Sequence, residues 1–171
     1  EELPPKARVP VREQAPEVRR TNFREVCYGY NAEEAVEEAR RCLNCKRPLC
    51  MEGCPVHIRI PDFISLIKEG KFEESATLLR EDTALPSVCG RVCPQESQCE
   101  GKCVLGRKGD PVAIGKLERF IGDWSMKNKI VAQKPTVRKG QKVAVVGSGP
   151  AGLTCAKELR CMGYDVTVYE A

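Results

Sequence analysis

The chain has 171 residues, enough for one ordinary domain or for a small domain followed by part of another. Its 28 Lys and Arg and 24 Asp and Glu give a formal net charge of +4, with both signs interspersed, so we expect no nucleic-acid partner. With 42% hydrophobic residues and no apolar run near the ~20 residues of a membrane span, we also expect no membrane partner.

The N-terminal residues 1–25 predict an extended arm, because four prolines lie among charged residues. Residues 26–130 predict a mainly helical domain. Asn31 with Glu34 three residues later has the pattern of a capping box, and strong helix formers follow as far as Arg41.

A loop at residues 46–60 precedes two short amphipathic helices. Pro61 suits a first helical turn, and that helix is predicted to end at Gly70. The next runs from Phe72 through the apolar positions that follow it. Several prolines and glycines punctuate residues 85–103, so this stretch predicts mostly loop with short turns.

The longest predicted helix covers residues 112–129, and a polar linker follows at residues 131–141. Beyond the linker the pattern is strand, helix, strand, at residues 142–146, 150–162 and 165–169. We expect the first strand to be buried and Cys155 and Cys161 to pack inside. Two strands and one helix cannot cover a sheet, so residues 142–171 predict a truncated domain from a longer enzyme.

Eight of the eleven cysteines form two quartets with short gaps. The quartets are Cys42-x2-Cys45-x4-Cys50-x3-Cys54 and Cys89-x3-Cys93-x5-Cys99-x3-Cys103. Pro55 closes the first quartet, as in bacterial two-cluster iron–sulfur proteins. Zinc fits less well, because only one pair has C-x2-C spacing. The odd cysteine count and the lack of a secretory pattern argue against disulfides, so we expect a cytoplasmic protein.

The order of the cysteines suggests how two [4Fe–4S] clusters would share them. In two-cluster proteins the fourth cysteine of a quartet commonly crosses to the other cluster. Cys42, Cys45 and Cys50 would then share a cluster with one cysteine of the second quartet, and Cys54 would join the others. Eight thiolates suffice for two clusters, so counting alone makes Cys89 a ligand.

A dinucleotide-binding motif follows the first predicted strand of the C-terminal segment. Gly147 suits the tight turn, Gly149 the approach of a pyrophosphate and Gly152 close helix packing. The motif spans the loop and the helix start, at Gly147, Ser148, Gly149, Pro150, Ala151 and Gly152. Glu170 ends the second strand about 20 residues on, where an acid binds a ribose hydroxyl. The motif alone does not distinguish FAD from NAD(P).

Several stretches resemble one family of flavin-dependent iron–sulfur oxidoreductases. They are ARRCLNC at 39–45, CPV at 54–56, CGRVCP at 89–94, CEGKC at 99–103 and residues 111–120. The family includes the small (beta) subunit of NADPH-dependent glutamate synthase and the N-terminal iron–sulfur domain of dihydropyrimidine dehydrogenase. It also includes the large subunit of NADH-dependent reduced ferredoxin:NADP oxidoreductase, to which the arm at residues 8–14 is most similar.

This resemblance implies a mainly α fold. It is a helical two-[4Fe–4S] domain, alpha-helical ferredoxin-like, followed by the first β-α-β of a Rossmann-type FAD-binding domain. By resemblance, Cys42, Cys45, Cys50 and Cys103 bind one cluster and Cys54, Cys93 and Cys99 the other. The family's eighth ligand is a Gln or Glu on the next helix, here Glu118 rather than Cys89, and a carboxylate can ligate iron.

The expected function is electron transfer between FAD and a partner subunit in an NAD(P)H-dependent oxidoreductase, with no catalytic side chain in this chain. NADPH would bind a domain absent here. The expected partner is a glutamate synthase large subunit or a flavin and iron–sulfur bifurcation subunit, with ferredoxin a further candidate. The alternatives are a zinc-stabilised interaction module and a stand-alone ferredoxin-like carrier.

Overall fold

A computed structural model describes residues 7–130 and 137–171 of the chain. The described part is mainly helical and carries four short strands. The helices are α1 (Pro16–Arg19), α2 (Ala32–Ala39), α3 (Leu49–Glu52), α4 (Ile60–Lys68), α5 (Phe72–Asp82), α6 (Pro86–Val92), α7 (Ile114–Lys127) and α8 (Pro150–Cys161). The strands are β1 (Arg12–Glu13), β2 (Cys27–Gly29), β3 (Lys142–Val146) and β4 (Asp165–Tyr169).

Regular structure is present in the predicted N-terminal arm, of which residues 1–6 lie outside the described part. β1 pairs antiparallel with β2, and α1 forms a single turn between them. Val9 and Val11 pack against the buried core. The segment therefore lies on the helical domain instead of extending from it.

The helical core forms where α4, α5 and α7 bury their apolar faces. Ile64, Ile67, Leu117 and Ile121 are all almost fully buried, and Phe72 packs edge-on against aromatic rings of α7. α2 joins this core, and its predicted capping box is confirmed. The Asn31 side chain accepts the Glu34 amide, and the Glu34 carboxylate accepts the Asn31 amide.

Helix α6 lies inside residues 85–103, where we had predicted mostly loop, and that prediction was wrong. Pro86 occupies its first turn, where a missing N–H costs nothing. Gly90 lies inside the helix because α6 packs closely against α7, and a side chain there would collide with the α7 backbone. Two 3-10 turns, Glu100–Lys102 and Val104–Arg107, complete the stretch before α7.

The C-terminal segment folds as one strand–helix–strand unit in the predicted order. β3 and β4 pair in parallel, with Val143 opposite Val166 and Val145 opposite Val168. Val145 is the one residue of β3 that is buried, so the prediction of a buried strand was wrong. Exposed Cys155 and Cys161 likewise contradict the prediction that they pack inside. Of the predicted linker, residues 131–136 lie outside the described residues.

The described helices include none that combines the length and the apolar character needed to cross a membrane.

Candidate metal centre

Four thiols from both quartets line one cavity. They are Cys42, Cys45, Cys50 and Cys103, so three come from the first quartet and one from the second. Apolar side chains complete the lining. Thiols far apart in the sequence thus meet in a largely apolar site that opens to the surface.

The thiols of this first group influence one another electrostatically. Burial is the main reason that the pKa of Cys50 is raised to about 11, and the neighbouring Cys42, Cys103 and Cys45 raise it further. Burial also raises the pKa of Cys42, with smaller upward contributions from Cys103 and Cys45. Four anionic thiolates are therefore unfavourable here without a cationic centre to neutralise them.

A second group gathers around the middle of α7. Cys93 lies close enough to Cys54 and Glu118 for both to raise its pKa, although burial is the larger cause. Burial raises the pKa of Cys99 to about 12, with contributions from Glu100, Cys54 and Glu118. This group again combines both quartets, since Cys54 ends the first and the others belong to the second.

Glu118 is the most unusual donor of the second group. The residue is 6% exposed, and burial raises the pKa of its carboxyl to about 8. Its Oε1 atom is buried without a hydrogen-bond partner among the described residues. A buried carboxylate oxygen is costly unless something pairs with it, so an orphaned oxygen beside three thiols fits a metal ligand.

Cys89 also lies next to this group. Its thiol hydrogen-bonds with Cys93 and with Thr83, and burial raises its pKa to about 11. Glu118 and Cys93 raise that pKa further. A protonated Cys89 could therefore donate a hydrogen bond to the Cys93 sulfur, while an ionised Cys89 could replace Glu118 as a ligand.

Backbone amides point at several of the thiols. Cys42 is hydrogen-bonded by the backbone of Asn44, which has φ 47°, a left-handed conformation that Asn tolerates. The backbone amide of the following residue bonds the thiol of Cys50 and of Cys99. Such N–H···S hydrogen bonds stabilise anionic sulfur and set cluster potentials.

Across residues 7–130 and 137–171, no three His, Cys, Asp or Glu side chains converge closely enough to chelate one metal ion. A four-iron cluster makes a different demand, because each of its ligands binds a different iron atom. The two mixed groups, the apolar cavity and the orphaned Glu118 oxygen fit that demand.

Two buried acidic residues near these groups were missed by the sequence analysis. Glu38 pairs with Arg41 at 2.6 Å, and both side chains are almost fully buried. Arg41 directly precedes Cys42 in the sequence. Glu100, which follows Cys99, pairs with Arg8 at 2.5 Å. Charged residues close in sequence to the candidate ligand cysteines were the available signal, but the burial of these residues depends on partners far away in the sequence.

The nucleotide motif adopts the expected loop. Gly147 has φ +98°, and the described atoms leave open space around Gly149 within 4 Å of a would-be Cβ. A Cβ at Gly152 would collide with the Gly147 carbonyl, which explains why close packing requires glycine there. The Ser148 amide donates to the Glu170 carboxylate, and hydrogen bonds from Ser148 hold the pKa of Glu170 below its usual range.

The fold and these groups define an iron–sulfur protein of the helical type, joined to the start of a dinucleotide-binding domain. Residues 19–130 match the family model described as dihydropyrimidine dehydrogenase domain II, 4Fe-4S cluster, and the chain belongs to this family. Residues 145–171 match an NAD(P)-binding Rossmann-like domain. Over residues 19–130 the chain thus belongs to an iron–sulfur domain family, and a Rossmann-like NAD(P)-binding region follows, as the resemblance implied.

Similar proteins carry names of the same kind. The chain is 40% identical over 154 residues to the glutamate synthase [NADPH] small chain of Azospirillum brasilense, covering 89% of this chain and 32% of that one. It is 47% identical over 123 residues to the NADPH-Fe(3+) oxidoreductase subunit beta of Geobacter sulfurreducens, covering 71% and 18%.

A third relative is the NAD-dependent dihydropyrimidine dehydrogenase subunit PreT of Escherichia coli, 39% identical over 136 residues, covering 80% and 33%. The chain therefore spans a third or less of the length of these three relatives.

Proposed function

We propose that this chain relays electrons in an NAD(P)H-dependent flavoprotein oxidoreductase, through two [4Fe–4S] clusters that lie between FAD and a partner subunit. The observation that carries the proposal is the sorting of donors into two spatial groups, each drawing on both quartets. A dinucleotide motif directly after the helical domain supports the same proposal, because it brings a redox cofactor site onto the same chain.

In this proposal each donor group holds one cluster. Cys42, Cys45, Cys50 and Cys103 bind the first, within the apolar cavity that they line. Cys54, Cys93, Cys99 and Glu118 bind the second. The unpaired oxygen of Glu118 supports its assignment as a ligand. The hydrogen bond between the Cys89 thiol and Cys93 supports a role for Cys89 as a hydrogen-bond donor to a ligand.

When bound, the clusters supply one-electron redox chemistry that a flavin can couple to the two-electron chemistry of a nicotinamide cofactor. The chain's own part is placement and tuning. Apolar side chains surround the first group, and the amide of Asn44 stabilises the sulfur of Cys42. Glu118 would add an oxygen ligand, which shifts the reduction potential of the second cluster away from the value expected for four thiolate ligands.

The nucleotide motif would bind FAD, and NADPH would bind a domain beyond this chain. The N-terminal amides of α8 and the open space at Gly149 suit a pyrophosphate. The Glu170 carboxylate, which accepts a hydrogen bond from the Ser148 amide, would instead accept one from a ribose hydroxyl. The choice of FAD over NAD(P) rests on the resemblance to flavin-containing relatives.

The proposed partner is another oxidoreductase subunit. The family resemblance offers a glutamate synthase large subunit, a flavin and iron–sulfur bifurcation subunit, or ferredoxin as the electron acceptor. The relatives named as a small chain or a subunit support a multi-subunit assembly. We place the protein in the cytoplasm, because all eleven described cysteines are free and a reducing compartment keeps thiolates available for iron.

Metal analysis of the anaerobically purified chain tests the proposal. We expect roughly eight iron atoms and eight acid-labile sulfides per chain, with a brown absorbance that dithionite bleaches, as two [4Fe–4S] clusters require. Zinc without sulfide, in a colourless protein, would instead support a zinc-stabilised interaction module. Four of each would leave one donor group without a cluster and contradict the two-cluster assignment.

A further inference from the structure

The N-terminal strap, residues 8–14, is fixed to the helical core along its length. The Val9 amide donates to Glu38 Oε2 at 2.8 Å, and Tyr30 Oη donates to the Val9 carbonyl at 2.7 Å. At the other end Gln14 is 5% exposed. The strap lies before residue 19, where the match to the iron–sulfur family model begins, so that match assigns it no role.

Arg8 carries the strap's strongest contacts. Its Nη2 atom lies 2.5 Å from Glu100 Oε2, and its Nε donates to the Pro111 carbonyl at 2.8 Å. Its backbone amide donates to Asp110 Oδ2 at 3.2 Å. One residue thus ties together two segments that flank the last cysteine of the second quartet.

Glu100 links Arg8 to the second donor group. It directly follows Cys99, and its second oxygen accepts the Gly115 amide at 3.0 Å. Gly115 lies in the first turn of α7, one turn before Glu118. A single carboxylate therefore joins Arg8 to a candidate thiol ligand and to the helix that carries the candidate carboxylate ligand.

Val9 makes a parallel connection to the first quartet. Its partner Glu38 also accepts the Ala113 amide at 2.8 Å and pairs with Arg41 at 2.6 Å. Arg41 donates to two backbone carbonyls just before α7 and directly precedes Cys42. The strap thereby contacts, through two buried acids, the chain segments that present donors of both groups.

The Glu100 side chain is only 7% exposed, so its charge depends on its partners. Without Arg8, one of its oxygens would lose a charge-assisted hydrogen bond at 2.5 Å. A buried carboxylate that loses its cationic partner moves toward water or destabilises its surroundings. Either response would displace Cys99 and the start of α7 together.

We propose that Arg8 is a positioning residue that acts through Glu100 to hold Cys99 and α7 in their cluster-binding arrangement, which makes the strap part of the iron–sulfur domain. This inference rests on the proposed function for its cluster readouts. Its placement readout, described below, does not depend on iron.

The first test compares Arg8→Ala with Arg12→Ala in the anaerobically loaded chain. Arg12 belongs to the same strap and pairs with Glu34 at 2.9 Å, but its side chain is 56% exposed, so its pair is a weak one. We expect an iron chelator to strip Arg8→Ala about 10- to 100-fold faster than the wild type, the range seen when supports of metal ligands are removed. Arg12→Ala should match the wild type.

Two further variants show whether Arg8 acts through Glu100. Arg8→Lys keeps a charge for Glu100 but cannot also bond the Pro111 carbonyl, so an intermediate rate is expected. In Arg8→Ala with Glu100→Gln, no buried charge is left unpaired, so iron loss should be slower than in Arg8→Ala alone. The electron paramagnetic resonance spectrum of the reduced second cluster should change in Arg8→Ala and be partly restored by Arg8→Lys.

Alkylation of Cys99 in the chain as purified, followed by mass spectrometry, measures placement directly. Cys99 is buried, and losing a hydrogen bond between charged groups makes its surroundings easier to open, so we expect it to react about tenfold faster in Arg8→Ala. If Arg8→Ala equals Arg12→Ala in chelation, spectrum and alkylation, the inference is wrong. A wild type without iron and sulfide would overturn the proposed function, while the alkylation rates would still decide the role of Arg8.

Discussion

Gly90 in α6 lies directly against the backbone of Arg119 in α7, so that a Cβ on Gly90 would stand 2.6 Å from the Arg119 amide nitrogen. This contact brings two helices of the second donor group together. Cys89 precedes Gly90 in α6, Cys93 follows the last residue of that helix, and Glu118 precedes Arg119 in α7. The donors therefore meet because Gly90, which has no side chain, lets the two helices approach closely.

Gly90→Ala should push α6 and α7 apart. Overpacking a tight contact costs about 1–3 kcal/mol, and each kcal/mol lowers the unfolding temperature of a chain this size by roughly 2–4 °C. We also expect lower iron content, since the second donor group straddles this contact. Anaerobic calorimetry and iron analysis measure both effects. Gly106→Ala is the control, because its Cβ would meet Pro111 only at an ordinary 3.6 Å.

Glu118→Cys should move one of two reduction potentials and leave the other unchanged. Replacing a carboxylate by a thiolate keeps the ligand charge but exchanges a hard oxygen donor for a soft sulfur donor, and ligand changes shift iron–sulfur potentials by on the order of 100 mV. A redox titration followed by electron paramagnetic resonance separates the two. Exposed Glu96 provides the control Glu96→Gln, which should leave both potentials in place. Two unchanged potentials in Glu118→Cys would remove Glu118 from the ligand set.

Cys89→Ala should keep the full iron content and shift only the potential of the second cluster. The reason is that the Cys89 thiol bonds the Cys93 sulfur, and hydrogen bonds to cluster sulfurs set the potential. Iron analysis with redox titration is the measurement, and Cys27→Ala, which removes a thiol outside both groups, is the control. Loss of iron in Cys89→Ala would make Cys89 the eighth ligand in place of Glu118.

The C-terminal unit should bind FAD weakly or not at all within these 171 residues. Val146 is 87% exposed, so the sheet lacks the packing that normally surrounds a bound dinucleotide. Gel filtration of the chain mixed with FAD is the measurement, with flavin absorbance read in the protein peak. Stoichiometric FAD in that peak would contradict the prediction, and Gly149→Ala should then abolish it, because a side chain would occupy the pyrophosphate space.

Local signals in the sequence predicted much of the helical architecture. The capping box at Asn31 and the strand–helix–strand at the C-terminal end follow from short-range rules, and both were confirmed. Helix α6 was missed because Gly90 normally weakens a helix. Glycine is required at this position because the helix packs against Arg119, almost 30 residues later in the chain. Helix propensity does not report such a distant contact.

Site residues that follow a regular spacing in the sequence were predicted, whereas site residues that depend on burial by distant segments were missed. Cysteine gaps are a local pattern, so both quartets were found from the sequence, and their ligand assignment stays a prediction. Glu38 and Glu100 were missed, because a charged residue in such a sequence is expected to be exposed to solvent unless its distant partners are known. Those partners, Arg8 among them, come from a segment that the sequence predicted to be an arm.

The mixing of the two quartets has a consequence for how such a domain can be divided. Cys54 joins donors that follow it by some 40 residues, and Cys103 joins donors that precede it by more than 50. A cut anywhere between the quartets would therefore leave both sites incomplete at once. A portion that keeps the donors of both groups must include at least the stretch from Cys42 to Glu118, so one cysteine motif could not be transplanted or inherited alone.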